Sequence, residues 1–388
     1  MNWPLNINNF TLIDRLKIAK FILSTKNRWT QDIHVKNFER LMAEYVGVKY
    51  AVFVSSGSTA NTILAQYLKD SLKNSKRNIV VLPSTTWQTS CSPWIREGFE
   101  PHFIDISLND FSIDKEKLKK YVSENSEKIA CVFPTSLIGF SPDMSFYQKL
   151  SEEFNIKIFF DNCENTLGEF KGKNISSYFT STTSTYFGHQ IQSVEGGFLF
   201  SNSLEEYEYF LMQRNHGMTR SLKVYGLDPK KYQNKNVHEL FDFYSLGNNF
   251  RNTDINAFIG MLDLKRAQNY IESRIGLYNL YVRSLFSDKF YLPEARSASK
   301  DVPFCLPIIC KKSNQIGKVI ELCKSLDIEY RPIISGFLGY QTCYKKYFTD
   351  KNDYPNSINL HENGIYVGLY SKLKKKKILQ LTKKLNNI

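Results

Sequence analysis

The sequence has no uninterrupted apolar stretch near the roughly 18–20 residues that a membrane-spanning helix requires, which argues against such a span. None of its seven cysteines (Cys91, Cys131, Cys163, Cys305, Cys310, Cys323 and Cys343) forms a CxxC pair. An odd count without a secretion signal points to reduced thiols, not a disulfide framework. Cys305, Cys310, Cys323 and Cys343 lack the short intervals that iron–sulfur clusters favour, so core filling is the better reading and no cluster is expected. The N-terminal MNWPLNINNFTLIDRLK has no basic start, apolar run or small-residue cleavage site, and a cytoplasmic protein is expected. Zinc-finger spacing, an RRM signature and an interleaved basic-aromatic platform are all missing, so nucleic acid is not the expected partner. Internal repeats and long Gly/Ser linkers are missing as well.

What is present is a chain of 388 residues, long enough for one large domain and a smaller one. Its 42% hydrophobic content is that of a globular protein and excludes extended disorder. The formal charge of +13 comes from lysines spread along the chain, with one dense run at Lys372–Lys377 in a terminal segment that reads as a solvated amphipathic helix. A basic surface also suits a dianionic small substrate such as a nucleotide diphosphate.

Seven short β-rich runs occupy the first two-thirds: 50–56, 78–83, 101–106, 128–134, 156–161, 181–187 and 196–202. Helical stretches such as TANTILAQYLKDSLK and DKEKLKKYVSENS lie between the earlier ones. Continuous apolar strands separated by helices predict a mainly parallel sheet covered on both faces. The last two runs follow each other closely, which predicts some antiparallel pairing there. From about residue 262 a long charged helix (262–286) is expected, then strand-like FCLPIIC, a helix near 316–326 and the basic terminal helix. The chain divides on this reading into an N-terminal arm (1–25), a large domain (26–264) and a small α/β domain (265–388).

Four segments of the large domain carry candidate chemistry. Ser55-Ser56-Gly57-Ser58-Thr59-Ala60-Asn61 is a small-residue turn between strand and helix; it suits a phosphate, though taken alone such residues are more often plain N-caps. Asp161 and Glu164 close the apolar strand IKIFF, where α/β proteins place ligands. A carboxylate there can hold a pyridine nitrogen protonated, or simply cap the next loop. Trp87, after NIVVLP, is either a ring-stacking platform or core. The fourth segment runs from Ser184 through His189 to Gly197.

Taken together, VSSGSTAN, LPSTTW, DNCENTLG, the SxxxxH…EGG segment, RNHG and NNFRNTDINAFIG occur in the order seen in the DegT-type sugar aminotransferase family, which the chain resembles over essentially its whole length. The resemblance implies an α/β, aspartate-aminotransferase-like architecture (fold type I of the pyridoxal-phosphate enzymes). It also implies a pyridoxal or pyridoxamine 5'-phosphate cofactor and a homodimer. The family's cofactor-binding lysine is replaced by His189, and no lysine lies between Lys173 and Lys223. Histidine followed by EGG resembles the sugar 3-dehydratases, which act on nucleotide-linked 4-keto-6-deoxy sugars such as GDP-4-keto-6-deoxy-D-mannose and regain their amine cofactor from L-glutamate. A related histidine-bearing type carries an iron–sulfur cluster; this chain is shorter and lacks suitable cysteines.

Carried over by resemblance, His189 is the acid/base, with a pKa expected near neutrality. Gly57, Ser58 and Ser184 match phosphate contacts, and Trp87 matches the ring-stacking residue. Asp161 matches the partner of the pyridine nitrogen and Glu164 the residue near the ring hydroxyl. Asn249 matches an asparagine that reaches across the dimer to the partner's phosphate. His216, Arg220 and Arg251 lie in segments that border the sugar-nucleotide site. The chain departs from the family at TQDIHVKNFE (30–39), where relatives have a glycine-containing turn. The same chemistry on another nucleotide sugar, an aminotransferase, and a non-catalytic protein on this fold remain alternatives.

Overall fold

In the computed structural model, residues 3–388 are described apart from Asn74, Ser287, Glu294 and Ala295; Met1 and Asn2 of the expected N-terminal arm lie outside the described residues. Strands β1 (Tyr50–Val54), β2 (Ile79–Pro83), β3 (Glu100–Ile104), β4 (Ile129–Val132) and β5 (Phe159–Asp161) fall inside the expected apolar runs or within a residue of them. A short hairpin, β6 (Glu169–Phe170) and β7 (Lys173–Asn174), precedes β8 (Thr180–Ser184) and β9 (Gly197–Ser201). β2 pairs in parallel with β3 and β4, and β5 in parallel with β8. Parallel bridges Val132–Ile158 and Thr135–Asp161 link β4 to β5. β9 runs antiparallel to both β8 and β1. The result is one sheet in the order β3-β2-β4-β5-β8-β9-β1, parallel except for β9.

Alternation along the strands shows why both faces are covered. Val52 and Val54 of β1 and Leu199 of β9 pack with Ile63 and Leu64 of α3 (Gly57–Ser71), together with Val80 and Leu82 of β2. The intervening Ala51, Phe53, Phe198 and Phe200 point the other way, onto Phe38 and Met42 of a second helix (Ile33–Val46). Val81, Ile104 and Val132 bury against Leu118 and Val122 of the helix Lys115–Asn125. A period of two with both sets apolar is the signature of a strand buried on both faces. At about 25 cal/mol per Å² of apolar surface, this burial dominates the stabilisation.

A second, antiparallel sheet lies toward the C-terminus, ordered Phe290–Tyr291, Cys305–Cys310, Gly364–Gly368, Tyr330–Pro332. It packs against Leu277 and Tyr281 of the helix Ala267–Ser284 and against Ile378, Leu381 and Leu385 of the basic terminal helix Lys375–Leu385. The lysines of that terminal helix face outward. Among the described residues no helix is long and apolar enough to cross a membrane.

Two local expectations are corrected or explained. The single helix expected over 262–286 is two, Asp254–Leu264 and Ala267–Ser284, broken at Arg266 (φ −105°, ψ 4°). The Arg266 guanidinium turns to Asp14 of the N-terminal helix Leu12–Leu23 and to Asp263, while Tyr270 donates to Asp263 at 2.7 Å. In the departing segment 30–39, Gln31 itself takes the left-handed conformation (φ 52°) that favours glycine. Its amide donates to the Asn252 carbonyl at 2.8 Å, and Asp254 accepts from the amides of Asp32, His34 and Val35. Tertiary hydrogen bonds offset the strain that glycine avoids.

Candidate active site

The phosphate-binding candidate forms where β1 hands over to α3. Ser56 caps the helix in a reciprocal pair with Thr59 that takes up the Thr59 amide, and the Ser56 carbonyl accepts from Ala60; among the described residues the Gly57 and Ser58 amides have no acceptor. Gly57 is there for space: a Cβ at this position would sit 2.7 Å from Cys163 Sγ and 3.0 Å from Ser184 Cβ. The turn, the end of β5 and the end of β8 thus converge on one point. Ser58 Oγ is held by Thr89 at 2.9 Å, and Ser184 Oγ accepts from the Tyr186 amide at 3.2 Å.

Asp161 lies buried at the C-terminal end of β5. Its carboxylate accepts from Asn61 Nδ2 (2.8 Å), Ser90 Oγ (2.7 Å) and the Cys163 amide (3.0 Å). Asn61 is itself fixed by Thr182 Oγ1 at 2.6 Å. An acid with three donors is locked in orientation, as a group that must face a ring nitrogen would need to be. Glu164, three residues on, has one donor among the described residues, the Ile138 amide at 2.7 Å. Burial pushes its carboxyl up to about 8; the Ile138 hydrogen bond opposes the rise and Asp161 adds to it. At neutral pH Glu164 is therefore mainly a neutral acid, able to donate.

His189 sits in the loop that joins β8 to β9. The Thr185 amide donates to Gly196 (2.8 Å), Phe187 to Val194 (3.2 Å) and His189 to Tyr186 (2.9 Å), which gives the loop fixed backbone geometry. The half-buried imidazole meets Tyr186 and Phe304 edge to face, at centroid distances of 5.7 and 6.0 Å. Its Nδ1 is buried without a hydrogen-bond partner among the described residues. The near-neutral pKa expected from sequence is corrected: desolvation lowers it to about 4, against the raising influence of Asp161 and the Ser184 backbone, and Arg274 lowers it further. The ring is a neutral base at pH 7.

The remaining sequence candidates fall in two places. Trp87 lies 56% exposed after β2, without an aromatic partner among the described residues. Asn249 is exposed on an extended segment bridged to Asn215. Arg251 bridges to Val54 and donates to Asn215 at 2.8 Å. His216 is left-handed (φ 61°) beside Asn248, and the Arg220 guanidinium lies 5.2 Å over Phe241. The structure thus gathers Gly57, Ser58, Asp161, Glu164, Ser184 and His189 around the strand ends, and groups Asn249, Arg251 and His216 in a neighbouring segment. Sequence reasoning gave no role to Asn61, Ser90 or Ile138. Asn61 had a signal, since it lies four residues after Gly57 on the same helix; Ser90 and Ile138 had none.

A seven-stranded sheet with one antiparallel member, a helix starting at the first strand's end and an acid at the end of β5 define fold type I of the pyridoxal-phosphate-dependent enzymes. Residues 15–386 match the DegT/DnrJ/EryC1/StrS aminotransferase family, and the chain belongs to it. It is 31% identical over 376 residues to the GDP-4-keto-6-deoxy-D-mannose 3-dehydratase of Yersinia pseudotuberculosis, covering 95% of this chain and 94% of that protein. The solved Escherichia coli GDP-4-keto-6-deoxy-D-mannose 3-dehydratase with bound hydrated PLP superposes with a TM-score of 0.88 at 28% identity, over 99% of each chain. A GDP-4-keto-6-deoxymannose-3-dehydratase with a trapped PLP-glutamate geminal diamine gives the same TM-score and identity over 99% of this chain and all of that one. A putative sugar aminotransferase, Spr1654, from Streptococcus pneumoniae in its PMP form shares the fold at 19% identity and a TM-score of 0.85, over all of this chain and 99% of that one.

Proposed function

We propose that this chain is a pyridoxamine-phosphate-dependent 3-dehydratase that removes the C3 hydroxyl of GDP-4-keto-6-deoxy-D-mannose, with L-glutamate restoring the amine form of the cofactor. The observation that carries the reading is His189, an imidazole in the loop where the resemblance to the family puts a lysine, in a stretch with no lysine from 174 to 222. Relatives with this activity at full-length coverage support the substrate class.

The residues present fit the cofactor. Gly57 leaves a space that a single methyl would fill, beside the first-turn amides of Gly57 and Ser58 and the hydroxyls of Ser58 and Ser184, a donor set suited to a phosphate. Those three, with Asn249 of the partner subunit, would hold the phosphate, and Trp87 would cover the ring. When bound, pyridoxamine phosphate supplies an amine for the 4-keto group and an electron-accepting ring. Asp161 keeps a proton on the pyridine nitrogen, and neutral Glu164 donates to the ring oxygen. With the cofactor bound, His189 would take a proton from its methylene carbon and would return one to the departing C3 hydroxyl, which would leave as water. An imidazole lowered this far in pKa gives its proton up readily once charged. Over the whole cycle the sugar's C3 hydroxyl is replaced by hydrogen, L-glutamate is oxidised to 2-oxoglutarate, and its nitrogen leaves as ammonia.

His216, Arg220 and Arg251 would face the sugar nucleotide, whose diphosphate suits the two guanidinium groups. A homodimer is part of the reading. It is supported by Leu12, Ile13, Leu16 and Leu23 on the N-terminal helix and by Leu246 near Asn249, all of which leave large apolar surface uncovered. Seven free thiols support a reducing, cytoplasmic setting.

The test is to incubate the protein with pyridoxal phosphate and L-glutamate, add GDP-4-keto-6-deoxymannose, and assay sugar product and ammonia. Deoxygenated sugar with equimolar ammonia is the expected result. An aminated sugar without ammonia would make the chain an aminotransferase, and no spectral response to glutamate would leave it non-catalytic.

A further inference from the structure

His189 is followed at once by Gln190, whose side chain is only 1% exposed and whose carboxamide is engaged at both ends. Its Oε1 accepts from the Leu167 amide at 2.7 Å. Its Nε2 donates to the Val302 carbonyl and, at 3.3 Å, to Asn165 Oδ1. Leu167 and Asn165 belong to the loop that starts at Asp161 and contains Glu164. Val302 belongs to a three-residue strap, Val302-Pro303-Phe304, that arrives from the C-terminal part of the chain.

The strap touches the site at two further points. Its amides at Val302 and Phe304 donate to Gly139 (3.1 Å) and Ile138 (3.2 Å), and Ile138 is the residue whose own amide holds Glu164. Gly139 is left-handed (φ +92°), and a Cβ there would lie 2.4 Å from the Val302 carbonyl, so the approach tolerates no side chain. The Phe304 ring then meets the His189 imidazole. Behind the strap, buried Arg274 donates to the carbonyls of Leu369 (2.6 Å) and Pro303 (3.5 Å), and no ion pair to it is formed among the described residues.

We propose that Gln190 is a positioning residue: its carboxamide clamps the His189 loop between the Asp161–Leu167 loop and the Val302–Phe304 strap, and so fixes the imidazole relative to Asp161 and Glu164. The inference rests on His189 being the proton carrier. Removing the clamp leaves the cofactor contacts of Gly57, Ser58 and Asp161 in place, but lets the imidazole drift against a ring that stays put. Drift of about 1 Å costs on the order of 100-fold in rate.

The experiment compares the full-length dimeric holoenzyme with Gln190→Met, Gln190→Glu and His189→Asn. Met matches the length and removes every hydrogen bond; Glu keeps the acceptor for Leu167 and removes the donors, so it decides the matter if the Met variant does not fold. The expected result is a kcat lower by on the order of 100-fold per folded dimer, with KM for the sugar nucleotide and affinity for pyridoxal phosphate unchanged. A lowered melting temperature with kcat intact would mean a structural role and overturn the inference, as would kcat within about threefold of the parent. If His189→Asn kept its activity, the functional reading would fall first; loss in His189→Asn alone would overturn only the assignment of Gln190.

Discussion

Substituting Glu164 by Gln reverses part of the pH dependence of stability, and the structure gives the size of the effect. Burial raises this carboxyl from an ordinary 4.5 to about 8. Between those values the folded chain holds a proton that the unfolded chain has released. Folding is therefore progressively weakened as pH rises through the window, because the unfolded state binds fewer protons there. At about 1.36 kcal/mol per pH unit, the loss reaches at most about 5 kcal/mol near pH 8. His189 works in the opposite sense: its folded value of about 4 lies below the ordinary 6.5, so its contribution to stability grows between those values. In Glu164→Gln the carboxamide mimics the neutral acid, and its carbonyl can still accept from Ile138. The assay is urea unfolding of the cofactor-free wild type and Glu164→Gln from pH 5 to 9. The His189 contribution cancels in the difference. The variant's advantage should be about 1 kcal/mol at pH 5 and grow to about 4–5 kcal/mol at pH 8.5. A difference that stays flat across that range would refute the assignment of a neutral buried acid.

Gly57→Ala places a methyl within 2.7 Å of Cys163 Sγ; overpacking of about 1–3 kcal/mol, felt in the cofactor pocket, corresponds to about 5- to 150-fold weaker pyridoxal phosphate binding, read by fluorescence titration. Glu39→Ala strips the buried Arg214 of its 2.6 Å ion-pair partner and frees the Phe53 amide. Breaking such a pair costs about 3–5 kcal/mol, measurable as a lowered urea midpoint. Mixing inactive His189→Asn with inactive Asn249→Asp subunits should return about a quarter of wild-type activity, since each mixed dimer holds one intact site if Asn249 serves the partner. No recovery on subunit exchange would place Asn249 in its own subunit's chemistry.

The strands were legible because both faces are buried, so each reads as an apolar run whatever its neighbours: Val52 and Phe53 point to opposite layers and are both hydrophobic. The break at Arg266 was not legible, because its cause is Asp14, some 250 positions away. The same distinction divides the site. The order of the motifs pointed to Gly57, Asp161, Ser184 and His189 through resemblance, and the fold puts them at adjoining strand ends. The lowered basicity of His189 and the raised pKa of Glu164 depend on desolvation, which no local pattern encodes. Gln190 is adjacent to His189 in sequence, yet its engagement depends on Val302, a contact made only after the C-terminal part has packed.

The proposed mechanism puts an imidazole where the family keeps an amine, which would leave the coenzyme without a covalent tether. Borohydride reduction of the wild-type protein with pyridoxal phosphate, followed by peptide mass spectrometry, addresses this directly. The expected result is no coenzyme mass on any peptide of the wild type, and labelling at position 189 in His189→Lys. Stoichiometric label on any wild-type lysine would contradict it.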